Sequence, residues 1–134
     1  MSADTYRLSA PAAPGTVRIA REFLRAILAA THEPSLIDAA RICVSDAVTS
    51  VLPHMSGTVT VDVAARPDRL IVDVGANGRR AHRDVSTAKT PDQRFGLLRK
   101  LSYRSGVTWT YDGSHRPVYK SVWFELRVPR AVAE

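Results

Sequence analysis

Asp46, Ser50 and His54 follow one another at intervals of four residues, so a helix would set a carboxylate, a hydroxyl and an imidazole on one line. A polar line of this kind suits the wall of a small-molecule site. The stretch that would build the floor and one wall of such a site runs from Arg41 to Ala76, RICVSDAVTSVLPHMSGTVTVDVAARPDRLIVDVGA. A second feature is a block of charge. Positions 79, 80, 83, 89, 94, 99, 100 and 104 are Lys or Arg, against Asp84 and Asp92, a balance of +6 that equals the net charge of the whole chain. Such a block can attract phosphate, nucleic acid or an acidic protein surface, or it can be a solvated loop and helix face. No aromatic interleaving or groove-reading helix pattern points to specific DNA recognition. There is no G-x-S-x-G elbow, no P-loop and no Cys/His metal spacing. His32, His54, His82 and His115 are scattered and read as surface or capping residues.

The elements that must position these groups can be read in order. Residues 5–10 form a short strand with Tyr6 and Leu8 on one face, stopped by Pro11 and Pro14. Thr16 is the expected N-cap of a helix reaching Thr31, with Val17, Ala20, Phe23 or Leu24, Ile27 and Leu28 inward and Arg18, Arg21, Glu22 and Arg25 mostly outward. A second helix spans 35–52. Leu36, Ala40, Val44, Ala47 or Val48, and Val51 face the core, and Pro53 should kink or stop it. Residues 58–65 alternate strictly, with Val59, Val61 and Val63 on one face. A turn at 66–69 joins them to a strand over 70–74 whose inward face, Leu70, Val72 and Val74, continues to position 76. Residues 75–92 have no periodicity and read as a long lid or binding loop. A third helix starts at 92 or 93 and ends near Tyr103, with Phe95, Leu97 or Leu98, and Leu101 inward. Strands over 105–112 and 118–128 close the chain. The expected fold is therefore a single α/β (α+β) domain over 1–134, a two-layer sandwich. It has a mixed, mostly antiparallel five-stranded sheet with about three helices on one face.

A chain of 134 residues with 45% hydrophobic and 24% charged residues is ordinary for one globular domain. It should bury roughly two-thirds of its unfolded surface. Its one cysteine, Cys43, lies in an apolar helical pattern and reads as a small core residue, with a reactive thiol as the alternative. No internal disulfide can form, no apolar run reaches the ~18 residues of a membrane span, and no signal-peptide pattern opens the chain. A cytoplasmic protein without a membrane segment is the expectation.

Four segments resemble one family. VSDAVTSVLPH resembles V-S-E-L-V-T-N-A-V-x-H, LIVDVGANGRR resembles L-x-V-x-V-x-D-x-G-x-G, RFGLLRKLSYRSGV resembles G-x-G-L-x-L-V-x-x-L-A-x-x-W-G-V, and KSVWFEL resembles K-T-V-W-F-E-L. These patterns belong to bacterial anti-sigma-factor serine kinases and their small relatives in the gyrase, Hsp90, histidine kinase and MutL ATPase superfamily. The resemblance covers nearly the whole chain in order. It implies the Bergerat-type ATPase fold, with ATP between the second helix and the lid loop, Mg²⁺ as metal and a homodimer.

Residue by residue, the resemblance makes Asp46 the candidate general base, one methylene shorter than the family's Glu. Ser50 stands where the family has an Mg²⁺-ligating Asn; a hydroxyl reaches less far, and a bond back to the helix carbonyl is the competing use. Ala76 stands where the family's Asp accepts from the adenine amino group, beside Asn77 and Gly78 of the same turn. An unpaired buried amino group costs about 1–3 kcal/mol. Arg80 and Arg94 replace motif glycines, Gly96 is kept, and Ser121 matches the Thr that supports the adenine Asp. Three functions follow. The first is an anti-sigma-factor-like regulator that binds a sigma factor or an anti-anti-sigma protein, with its ATP site impaired or lost. The second is an active ATP- and Mg²⁺-dependent serine/threonine kinase acting on an anti-anti-sigma antagonist. The third is a polyanion-binding module using segment 79–104, with nucleic acid the less favoured partner.

Overall fold

Alternating valines make the centre of the molecule. In the computed structural model, which describes residues 4–31, 34–51, 57–77, 96–111 and 117–128, strand β2 (Thr58–Arg66) buries Val59, Val61, Val63 and Ala65 on one face. A two-residue turn at Pro67 and Asp68 returns the chain as β3 (Arg69–Asn77), which buries Leu70, Val72, Val74 and Ala76 on the same face. β5 (Pro117–Arg127) adds Val122, Phe124 and Leu126. With β1 (Asp4–Pro11) and β4 (Arg104–Tyr111) as edges, the order is β1-β2-β3-β5-β4. Every pairing is antiparallel, the limiting case of the mostly antiparallel sheet expected.

Two long helices cover the valine face. α1 (Thr16–Ala30) buries Ala20, Leu24, Ile27 and Leu28, and α2 (Ile37–Val51) buries Ala40, Cys43, Val44, Ala47, Val48 and Val51. A single 3-10 turn, Pro34–Leu36, leads into α2 and takes the first turn of the helix expected there. A short third helix, α3 (Gly96–Leu101), adds Leu98. All join one core cluster with Phe124 fully buried at its centre. Truncating Phe124 to Ala would cost about 3–5 kcal/mol. The result is a two-layer α+β sandwich, and among the described residues no helix is long and apolar enough to cross a membrane.

Three local expectations are corrected. Thr16 is the first residue of α1, not its cap. Gly15 occupies the cap position with no side-chain bond, and the Thr16 hydroxyl donates to the Pro11 carbonyl, tying the helix to the end of β1. Leu101 is 40% exposed, because α3 is too short to turn it back on the core that Leu98 reaches. Residues 75–77 are strand, not loop. Gly75, Ala76 and Asn77 pair with Ser121, Lys120 and Tyr119 of β5, and Ala76 also faces Val59 of β2. Backbone pairing on both flanks outweighs the weak strand preference of Gly and Asn. At the start of β2, Gly57 has φ +115, a conformation other residues rarely adopt, and its carbonyl accepts from the Ala12 N–H at 2.8 Å.

Candidate functional site

The polar line on the second helix has its expected form as far as the description extends. Asp46 and Ser50 lie one turn apart on α2, on the side that meets α3. Asp46 is half-buried, and its carboxylate accepts a hydrogen bond from the backbone N–H of Leu98 in the first turn of α3. Burial pushes the Asp46 carboxyl above its usual range, and the Leu98 N–H only partly opposes that. Ser50 is 3% exposed, within the packing of α2 against its neighbours. His54 and Pro53 lie outside the described residues, as do His32, His82 and His115.

Ala76 sits where strand alternation puts it, 2% exposed on the helix-facing side of β3. Its methyl can accept no hydrogen bond. Gly96 opens α3 and is exposed, with nothing among the described residues within 4 Å of where a Cβ would stand. Asn77 is placed through its backbone pairing with Tyr119. Gly78, Arg80 and Arg94 lie outside the described residues, with the rest of segment 78–95.

Ser121 is not brought to this side. It is in register with Gly75, while Lys120 is the residue opposite Ala76. The Ser121 hydroxyl donates to the Asp73 carboxylate at 2.5 Å on the far face of the sheet. A one-residue step along a strand reverses the face, so Ser121 cannot support a group at position 76. Asp73 faces away from Ala76, as its parity requires.

Asp46 has a second set of neighbours that sequence reasoning did not bring together. With Arg21, Asp38, Arg41, Ile42 and Ser45 it lines an open groove of about 520 Å³ on the helix layer. Ser45 donates to the Arg41 carbonyl one turn back at 2.7 Å, and Arg21 reaches the Ser45 hydroxyl at 3.4 Å. Among the described residues, the buried Arg41 Nε has no hydrogen-bond partner. The spacing of 38, 41, 42, 45 and 46 was a signal for one surface of α2. The approach of Arg21 from α1 had none. Cys43, behind this surface, is fully buried, and burial first, then the Asp46 charge, push its thiol up to about 12. It is a core residue without thiolate chemistry.

The described residues do not fit an adenine nucleotide with its metal. Where the resemblance would need an adenine acceptor, Ala76 offers only a buried methyl group, and where it would need a metal ligand, Ser50 is a buried hydroxyl. Asp46 places a carboxylate against the first turn of α3, where a phosphate would need bare N–H groups. Among the described residues, no group of three or more His, Cys, Asp or Glu side chains could hold a metal ion. No protein-family model matches the chain, and no curated protein matches it.

Proposed function

We propose that this chain is an anti-sigma-factor-like regulatory domain that works by protein–protein binding, as a homodimer, with its ATP site lost. The single observation that carries the reading is Ala76, buried on the helix-facing side of β3 at the position where the resemblance needs a carboxylate. Ser50 and Asp46 point the same way. One is packed away, and the other already accepts the Leu98 N–H. The two-layer antiparallel sandwich is consistent with the fold that the four motifs imply. Its partner would be a sigma factor or an anti-anti-sigma protein, met in the cytoplasm.

One observation favours the kinase as a second reading. Asp46 remains a carboxylate, burial raises its basicity, and it borders an open groove. The two separate in one pair of assays: binding to individual sigma factors and anti-anti-sigma proteins without nucleotide, and transfer of labelled γ-phosphate to the same proteins. Nucleotide-independent binding with no transferred label is the expected result. Label transfer abolished by Asp46→Asn would replace this proposal with the kinase.

A further inference from the structure

Ala76 and Asp46 concern the helix side of the sheet. The opposite face carries a separate cluster. Strand register puts Arg104 of β4 opposite Glu125 of β5, and Arg69 of β3 opposite Arg127. Glu125 is only 1% exposed because guanidinium groups cover it. Arg104 donates through two nitrogens to one carboxylate oxygen at 3.1 and 3.0 Å, Arg127 donates to the other at 2.7 Å, and Arg69 stands 3.7 Å from it. The Tyr103 N–H donates to the Glu125 carbonyl at 2.7 Å, which places the Tyr103 ring 3.9 Å from the Arg127 guanidinium carbon. Arg104 stands 6.0 Å from the ring centre of Trp123.

We infer that this corner of the outer sheet face is a docking surface for a carboxylate-bearing segment of a partner protein. Three guanidinium groups offer about fifteen N–H donors, and the two carboxylates beside them, Glu125 and Asp68, accept at about eight sites. The excess faces water: the side chains of Arg104, Arg127 and Arg69 are 59%, 37% and 28% exposed. Glu125 holds them in place, so a partner binds to arginines whose freedom is already restricted. Tyr103, 57% exposed, adds a rigid aromatic beside them, and Arg, Tyr and Trp are the residue types that dominate interface energetics.

The boundary of the cluster selects the occupant. Asp68 pairs with Arg69 on one side; on the adjoining stretch of the same face Asp62 pairs with Arg7 at 2.6 Å and Asp73 accepts from Ser121. A nucleic acid crossing the sheet would carry its phosphates over those carboxylates. A short acidic segment needs to meet only the three guanidinium groups. A second copy of this chain would bring arginines against arginines, and each chain carries +6. The inference does not depend on whether nucleotide binds, and its failure would leave the proposed function standing.

The test uses the full chain and a fluorescein-labelled oligo-glutamate peptide, followed by fluorescence anisotropy at low and raised salt. An oligothymidylate of similar length serves as the second probe. The peptide should bind, and more weakly with salt. Arg104→Ser and Arg104→Lys should each weaken it about fivefold or more, the lysine because it loses the fork. Arg18→Ser, the same charge change on exposed α1, should leave affinity within about twofold. Tyr103→Ala, which removes no charged group, should weaken it about threefold and guards against a misfolded arginine variant. Absence of peptide binding would overturn the inference. So would equal losses for Arg18→Ser and Arg104→Ser, or tighter arginine-dependent binding of the oligothymidylate.

Discussion

Replacing Glu125 by Gln isolates the electrostatics of the outer face while keeping the side chain's shape. The carboxylate is 1% exposed and accepts from Arg104 and Arg127, with Arg69 close by. Breaking a fully buried pair costs about 3–5 kcal/mol. Here the arginines are between 28% and 59% exposed and can regain water, so the loss should be about 1.5–3 kcal/mol. In a domain of this length that lowers Tm by about 5–15 °C at pH 7. The pH dependence adds a second signature. Burial pushes the Glu125 carboxyl up, but the hydrogen bonds from Arg127 and Arg104 outweigh it and hold it below its ordinary value of 4.5. A depressed carboxylate contributes stability that is whole above the unfolded value and lost as pH falls through the folded one. The gap between wild type and Glu125→Gln should therefore be full at neutral pH and close below 4.5. Thermal unfolding followed by circular dichroism at a series of pH values measures both effects. A Tm change that is negligible at pH 7, or a gap that persists unchanged into acid, would refute the reasoning.

Three further outcomes are expected. Ala76→Asp should destabilise the protein by about 3 kcal/mol or more in urea unfolding, since it buries a carboxylate at a site only 2% exposed; a variant that is as stable as wild type and gains ATP binding would show an intact pocket lacking only its acceptor. Cys43 should resist thiol reagents in the native state, because a shift from 9.0 to about 12 cuts its thiolate roughly a thousandfold and burial blocks access; full labelling should need denaturant, and rapid native labelling would contradict the packing. Gly106→Ala would place a Cβ 2.7 Å from Trp123 Nε1, so the ring must move away from the sheet. Its emission should shift to the red in a Trp109→Phe background, with a loss of about 1–3 kcal/mol.

Local pattern carried much of the fold. The valine alternation of β2, the hairpin at Pro67 and Asp68 and the apolar stripes of both long helices were all legible, because each depends on a period of 2 or 3.6 within one element. The Asp46 and Ser50 pair and the inward position of Ala76 follow from the same periods. What was not legible depends on partners distant in sequence. Ser121 matched a motif by its neighbours; its face follows from the alternation with Val122, Phe124 and Leu126, but its partner Asp73 is set only by the pairing of β3 with β5. Gly75–Asn77 look irregular alone and become strand only between β2 and β5. The Glu125 cluster draws on residues 69, 104 and 127, which meet only once the strands are in register. The Arg21 approach to Ser45 likewise needs the packing of two helices.

The proposed regulatory function requires partner binding without nucleotide. Isothermal calorimetry of the purified protein with ATP and Mg²⁺ addresses it most directly. The buried methyl of Ala76 and the packed Ser50 predict no binding heat at millimolar ATP. Micromolar binding that disappears on Asp46→Ala would contradict this and favour the kinase reading.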